Sequence, residues 1–369
     1  LSLKYQQELL FNINLMKMER FCVKIIFMKA NSQINSSSFS SNIATWYKDN
    51  GRENLPWRKN VSPYRIWISE VMLQQTQVKT VIPFFKIFIK KYPNLKSLSM
   101  ASEENILALW TGLGFYRRAK NIYKAKEIIK NNFNNTFPKK FEDIISLPGI
   151  GESTAGAIMS IAYKESYPIL DANVKRVIAR YEKVENNSTS SSIKNLWGLS
   201  KKHTPKNDIF EYTQGIMDLG ATVCNIHDAK CVVCPLHSSC LSAYDVIKVK
   251  KATNKKIKPR KSIHFILACS DDSVLLFKKN EKTFWESLWT PFEIQTKNGS
   301  TPFDKKVLEK ETINKKHKLT HLDLDMTIDI SWYENTFNLD TNLEYKWISK
   351  TDIYMFGLPK PIKTIIERL

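Results

Sequence analysis

No apolar run in the 369-residue sequence approaches the roughly 20 residues that span a bilayer, which predicts a soluble chain that stays off membranes. The most apolar early stretch, Phe21–Met28, is short and interrupted by Lys24, and no small-residue cleavage site follows it. Export is therefore not expected, and the cytoplasm is the expected compartment. Acidic residues are scarce: 36 Asp and Glu stand against 56 Lys and Arg, for a net charge of +20. An excess spread along the whole length suits a chain that lies along an anionic polymer, so nucleic acid is the natural partner. A Lys-, Asn- and Ile-rich composition follows equally from an AT-biased genome, and charge alone does not separate the two. Cysteine is scarce too. Of six, four fall between positions 224 and 240, while Cys22 and Cys269 stand alone. Clustered cysteines in a cytosolic protein favour metal over disulfides.

From about Asn42 to Tyr244 the hydrophobic period is helical, with amphipathic segments Ile66–Ile89, Ser102–Leu113, Arg118–Asn131 and Ala172–Arg180 separated by short Pro or Gly turns. Residues 246–261, within which VKKATNKKIKPRK holds almost no apolar side chain, read as an extended, mobile basic linker. Beyond it the period becomes strand-like at Ser262–Cys269, Ser273–Lys278 and Leu322–Ile330. The expected fold is multidomain: an all-α domain over 41–245 followed by a smaller α+β domain over 262–369.

Four motifs carry chemistry. Cys224, Cys231, Cys234 and Cys240 follow C-x6-C-x2-C-x5-C, which brings four soft thiolates around one compact loop; either a [4Fe–4S] cluster or a tetrahedral zinc fits that donor set. In Leu147-Pro148-Gly149-Ile150-Gly151, between two helical segments, Gly149 and Gly151 permit a tight hairpin whose N–H groups, with the following helix start, can grip a DNA phosphate. An isolated Leu-Pro-Gly is more often a plain helix connection. Asp171 is placed to cap the helix after it, where the N–H donors and dipole would hold a carboxylate ionised against a developing positive charge. Glu70, in SEVMLQQTQV, would ordinarily be solvated, but its apolar and uncharged neighbours would raise its pKa if they bury it. A neutral acid and an ionised aspartate together suit cleavage through an oxocarbenium-like state.

These motifs in order, with Leu55-Pro56-Trp57 and Leu109-Trp110-Thr111-Gly112-Leu113-Gly114, resemble the helix-hairpin-helix DNA glycosylases, and SEVMLQQTQV and WTGLG resemble the MutY-type adenine glycosylases among them. The resemblance starts near Ser41, which leaves residues 1–40 as an extension, disordered or upstream of the true start. It implies a [4Fe–4S] cluster on the four cysteines, with Glu70 as the acid that protonates adenine, Asp171 as the carboxylate facing the sugar cation, and Asn173 orienting the site. By position, Gln75 fills the gap left in the duplex, and Phe115 and Tyr116 wedge beside the lesion. Ser153 stands where bifunctional relatives carry a Schiff-base lysine, which implies hydrolysis without strand cleavage. The C-terminal half resembles a NUDIX-like domain that reads 8-oxoguanine through a hairpin, here Thr320 and His321; it has no acidic NUDIX box, which implies reading and not nucleotide hydrolysis. Departures from the family pattern are Leu319-Thr320-His321 for Phe-Ser-His, Ala172 for glycine and Phe115 for tyrosine. The implied partner is double-stranded DNA with A:8-oxoguanine or A:G mispairs, bound by a monomer. The competing readings are a thymine-mismatch or oxidised-pyrimidine glycosylase of the same fold and a non-catalytic, cluster-bearing DNA-damage binder.

Overall fold

The computed structural model describes residues 39–245, 258–281, 283–294, 303 and 305–369. Phe21–Met28, Cys22 and residues 246–257 of the expected linker lie outside that set. The first half is helical. Helix α1 (Phe39–Asn50) begins inside the expected extension, because the buried Phe39 ring packs 4.5 Å from Tyr181 and 4.3 Å from His203. After a 3-10 turn at Pro56–Arg58 come α2 (Pro63–Leu73), α3 (Val78–Lys91), α4 (Leu95–Ser99), α5 (Glu103–Trp110) and α6 (Arg117–Phe133). They are followed by α7 (Phe141–Ile145), α8 (Glu152–Ile158), α9 (Ala172–Tyr181), α10 (Ser190–His203) and α11 (Ile209–Thr222).

The local rules that start these helices are on their first residues. Ser62 accepts from Arg65 N–H before Pro63, and Asn94 and Ser102 each close a capping box. The single helix expected over Ile66–Ile89 is instead two, broken at 74–77, where Gln75 adopts a left-handed φ of 57°. Trp67 and Trp110 are fully buried in the shared core. Each such side chain contributes on the order of 2–3 kcal/mol of burial free energy.

Among the described residues, the second half holds a mixed seven-stranded sheet, β1 (Arg260–Cys269), β2 (Ser273–Lys278), β3 (Trp289–Thr290), β4 (Phe292–Glu293), β5 (Glu309–Lys318), β6 (Asp323–Trp332) and β7 (Tyr345–Ser349), followed by α12 (Lys360–Ile366). The order is β3-β2-β1-β6-β5, with β4 added to β1 and β7 to β2. β1 takes Arg260 and Lys261 from the expected linker because β6 pairs with it in parallel from Arg260–Asp323 through Cys269–Trp332. β5 and β6 form a long antiparallel hairpin from Glu309–Trp332 to Lys318–Asp323.

The two halves share one core. Leu358 N–H donates to Thr111 Oγ1 at 3.2 Å, the Tyr116 hydroxyl donates to Leu358 O at 3.1 Å, the Trp289 indole donates to the Glu104 carboxylate, and Lys120 pairs with Glu286 at 3.0 Å. Gly357 is set so close to α5 that a Cβ there would stand 2.8 Å from Leu107 Cβ.

Candidate active site and cysteine loop

Helix α2 carries Glu70 on its last turn among the buried side chains of Trp67, Ser69 and Val71. Part of Glu70 still reaches solvent, as a group meant to meet a ligand must. Burial pushes its carboxyl up to about 7; the nearby Asp171 charge adds to the rise and Arg58 opposes it. Asp171 caps α9, with Oδ1 accepting from Asn173 N–H at 2.7 Å and Val174 N–H at 2.8 Å. The sequence led us to expect those donors to keep the carboxylate low. Burial outweighs them, and the Asp171 carboxyl lies above its ordinary value despite both N–H bonds and the Arg176 and Lys175 charges. Two carboxyls that feel each other titrate as a pair.

Asn173 stands beside this pair; its Oδ1 accepts from Arg176 Nη2 at 2.9 Å. Helix α11 passes so near that a Cβ on Gly220 would lie 2.7 Å from Asn173 Cβ, which is why that position must be glycine. Ser153 Oγ accepts from Leu170 N–H at 2.9 Å, so its hydroxyl braces the segment leading into Asp171.

Sequence reasoning missed the Arg58–Asp218 pair. Asp218 has no exposed side-chain surface and takes Arg58 Nη1 at 2.7 Å and Arg52 Nη2 at 2.6 Å. Burial pushes its carboxyl up, but the two guanidiniums win and hold it below its ordinary value. The pair holds in place Arg58, the cation that opposes the rise at Glu70. The available signal was an aspartate inside the apolar run IMDLGAT and an arginine directly after Leu55-Pro56-Trp57.

The candidate DNA contacts form one group and one outlier. Gln75 and Phe115 are exposed and both left-handed, at φ 57° and 51°. Gly149, at φ 83°, makes the turn between α7 and α8 that other residues would resist, and its carbonyl accepts from Gln74 Nε2 at 3.2 Å. Gly151 is exposed at the N-terminus of α8 with open space around it. Tyr116 is not a free wedge: its hydroxyl is held by Leu358 O and by Gly112 N–H. Thr320 and His321 are the outlier, exposed at the tip of the β5–β6 hairpin.

The cysteine loop follows α11. Cys224, Cys231, Cys234 and Cys240 are unpaired and partly buried. Burial, then the charges of Cys224, Cys240 and Cys231, push the Cys234 thiol up to about 11. Thiols this close and this poorly solvated fit a group that supplies positive charge; Arg180 Nη1 already lies 3.3 Å from Cys224 Sγ. Among the described residues, no three His, Cys, Asp or Glu are grouped so as to hold a metal ion.

Residues 68–202 match the model of the HhH-GPD superfamily base excision DNA repair proteins, and residues 263–368 match the NUDIX domain. The chain is 40% identical over 343 residues to the adenine DNA glycosylase of Buchnera aphidicola subsp. Schizaphis graminum, a match covering 89% of this chain and 98% of that protein. It is 35% identical over 214 residues to the human adenine DNA glycosylase, covering 55% of this chain and 39% of the human one. Among solved structures, a thermostable thymine-DNA glycosylase superposes with a TM-score of 0.51 at 27% identity, over 56% of this chain and 94% of that one. That structure covers little more than half of this chain, whereas the Buchnera likeness covers 89% of it and so runs through both halves, and the chain belongs to the adenine DNA glycosylase family, DNA N-glycosylases of base excision repair.

Proposed function

We propose that this glycosylase hydrolyses the N-glycosidic bond of adenine mispaired with 8-oxoguanine or guanine in duplex DNA, without cutting the strand. The observation that carries the reading is the Glu70 carboxyl at about 7 beside Asp171. Of the pair, Asp171 accepts two backbone N–H bonds at a helix start, which favours charge there and leaves the proton on Glu70. Glu70 then protonates the ring nitrogen of a flipped adenine, and the C–N bond breaks toward adenine. Asp171 faces the sugar cation until water adds, and Asn173 orients Asp171. Ser153, a hydroxyl already engaged with Leu170, offers no amine for a Schiff base, which supports hydrolysis alone.

The four cysteines, soft thiolate donors on one short loop, fit a [4Fe–4S] cluster, as the family resemblance implies. When bound, the cluster closes the loop and takes no part in bond cleavage. Thr320 and His321 are the proposed readers of the opposite base, the domain over 262–369 the reading unit, and a monomer the working form. The test is to incubate the protein with duplexes holding A opposite 8-oxoguanine and T opposite guanine. Free adenine from the first, with no borohydride-trapped adduct, is expected. Thymine release, or a trapped adduct, would replace the reading.

A further inference from the structure

We infer that Arg118 is a positioning residue that bolts the two duplex-probing turns, at Gln75 and Phe115, to the end of the helix carrying Glu70. Its side chain is buried, and its guanidinium spans three elements at once. Nη1 donates to Val71 O at 3.0 Å, Met72 O at 2.7 Å and Gln74 O at 2.6 Å. Nη2 donates to Thr76 Oγ1 at 3.1 Å and Gly114 O at 3.0 Å. The guanidinium also sits 5.5 Å over the Trp110 ring and 5.2 Å over the Phe115 ring.

Val71 and Met72 belong to the last turn of α2, whose carbonyls have no partner within the helix; a cation there satisfies them and meets the negative end of the dipole. The same group then holds the residues on both sides of Gln75 and the residue before Phe115. Both of these residues are in the left-handed region, a conformation that costs about 1 kcal/mol or more for a residue with a Cβ and persists only where the surroundings enforce it. Gln74 extends the tie to the Gly149 hairpin. Burial lowers the guanidinium to about 10 and leaves it charged at neutral pH. Lysine could not replace it, since one ammonium has three donors at a single point where the planar fork reaches five acceptors in three directions.

The inference rests on the assignment of Gln75 and Phe115 to the duplex, and the experiment separates the two. Full-length Arg118→Lys, Thr76→Val, Gln75→Ala and Phe115→Ala proteins are compared on a duplex with 2-aminopurine as the target base, whose fluorescence rises on extrusion. They are compared also on an adenine opposite an abasic gap, where no pair must be opened. For Arg118→Lys, the fluorescence rise and excision from the paired duplex should fall about tenfold, while excision opposite the gap falls less than about threefold. A general loss of fold would lower both substrates equally and overturn the inference, as would a normal fluorescence rise. If Arg118→Lys does not fold, Thr76→Val decides: a rise lowered about threefold supports the bolt, and an unchanged one overturns it. A normal rise in both Gln75→Ala and Phe115→Ala would sink the duplex assignment itself.

Discussion

The carboxylate pair and the hairpin tip are built on opposite principles. Glu70 and Asp171 are enclosed by the ends of two helices, with proton affinities moved by burial and by each other. Thr320 and His321 project into solvent from strands whose register is fixed over ten consecutive pairs. The first arrangement alters the chemistry of side chains; the second fixes where side chains stand. Proton transfer needs an altered group, whereas reading a base edge needs unaltered donors and acceptors in the right place. Substitutions in the first region should therefore change rate, and those in the second should change choice.

The largest effect is expected for Glu70→Gln, which removes the proton donor with little change of shape. Single-turnover excision should fall about 10²–10⁴-fold while duplex binding, measured by gel shift, is kept. Wild-type excision should decline as pH rises through about 7, since the proton leaves Glu70 there. Stability runs with the same sign: the folded carboxyl at about 7 holds its proton more tightly than one at the ordinary 4.5, so folding stability falls as pH climbs between those values. Glu70→Gln lacks that loss and should be more stable than the wild type at pH 8, by on the order of 1–3 kcal/mol. Equal melting temperatures at pH 8 would show that Glu70 is not perturbed.

Asp171→Asn should be nearly as inactive with a melting temperature no lower than the wild type's, because asparagine caps a helix as well as aspartate does and carries no buried charge. Loss of activity and stability together would reduce Asp171 to a cap. Cys231→Ser, next in size, should purify without iron or sulfide and melt about 5–10 °C lower than the wild type, since a metal-closed loop draws its stability from its ligands. One zinc and no iron in the wild type would overturn the cluster.

What could be read from the sequence follows the same division. Strand β2 and the start of α9 were legible because a hydrophobic period or a capping aspartate marks them. The break after α2 was not, because Gln75 is neither glycine nor proline; what enforces its left-handed turn is Arg118, forty-three positions away and indistinguishable in Arg117-Arg118 from a surface charge. Strand β5 was also missed. Only Ile313, Lys315 and His317 along it are even half-buried, so EKETINKKHK shows no apolar alternation. At the site, Glu70 and Asp171 lie in recognisable local motifs, whereas Arg58–Asp218 is a contact across 160 positions that no local pattern announces.

The smallest predicted effect tests the other side of the comparison. Leu319 packs inward against the core, its N–H donates to Leu322 O at 2.8 Å and its carbonyl accepts from Lys258 at 3.0 Å. The tip is thus closed by backbone bonds and an apolar anchor, and leucine in place of the family's aromatic leaves that frame intact. Thr320→Ala and His321→Ala remove only exposed polar groups, so neither should shift the melting temperature. Each should lower the preference for A:8-oxoguanine over A:G by about 1–3 kcal/mol or less, the range for one base-specific contact, with both duplexes still cut. Deleting everything after Lys248 is a poorer test, because it would uncover Leu107 and cut Thr111 and Tyr116 off from Leu358, disturbing the turn at Phe115 as well as the reader. Point substitutions keep that contact, so any change in preference belongs to the hairpin. Identical preference in wild type and both variants, from single-turnover rates on the two duplexes, would show that the opposite base is read elsewhere.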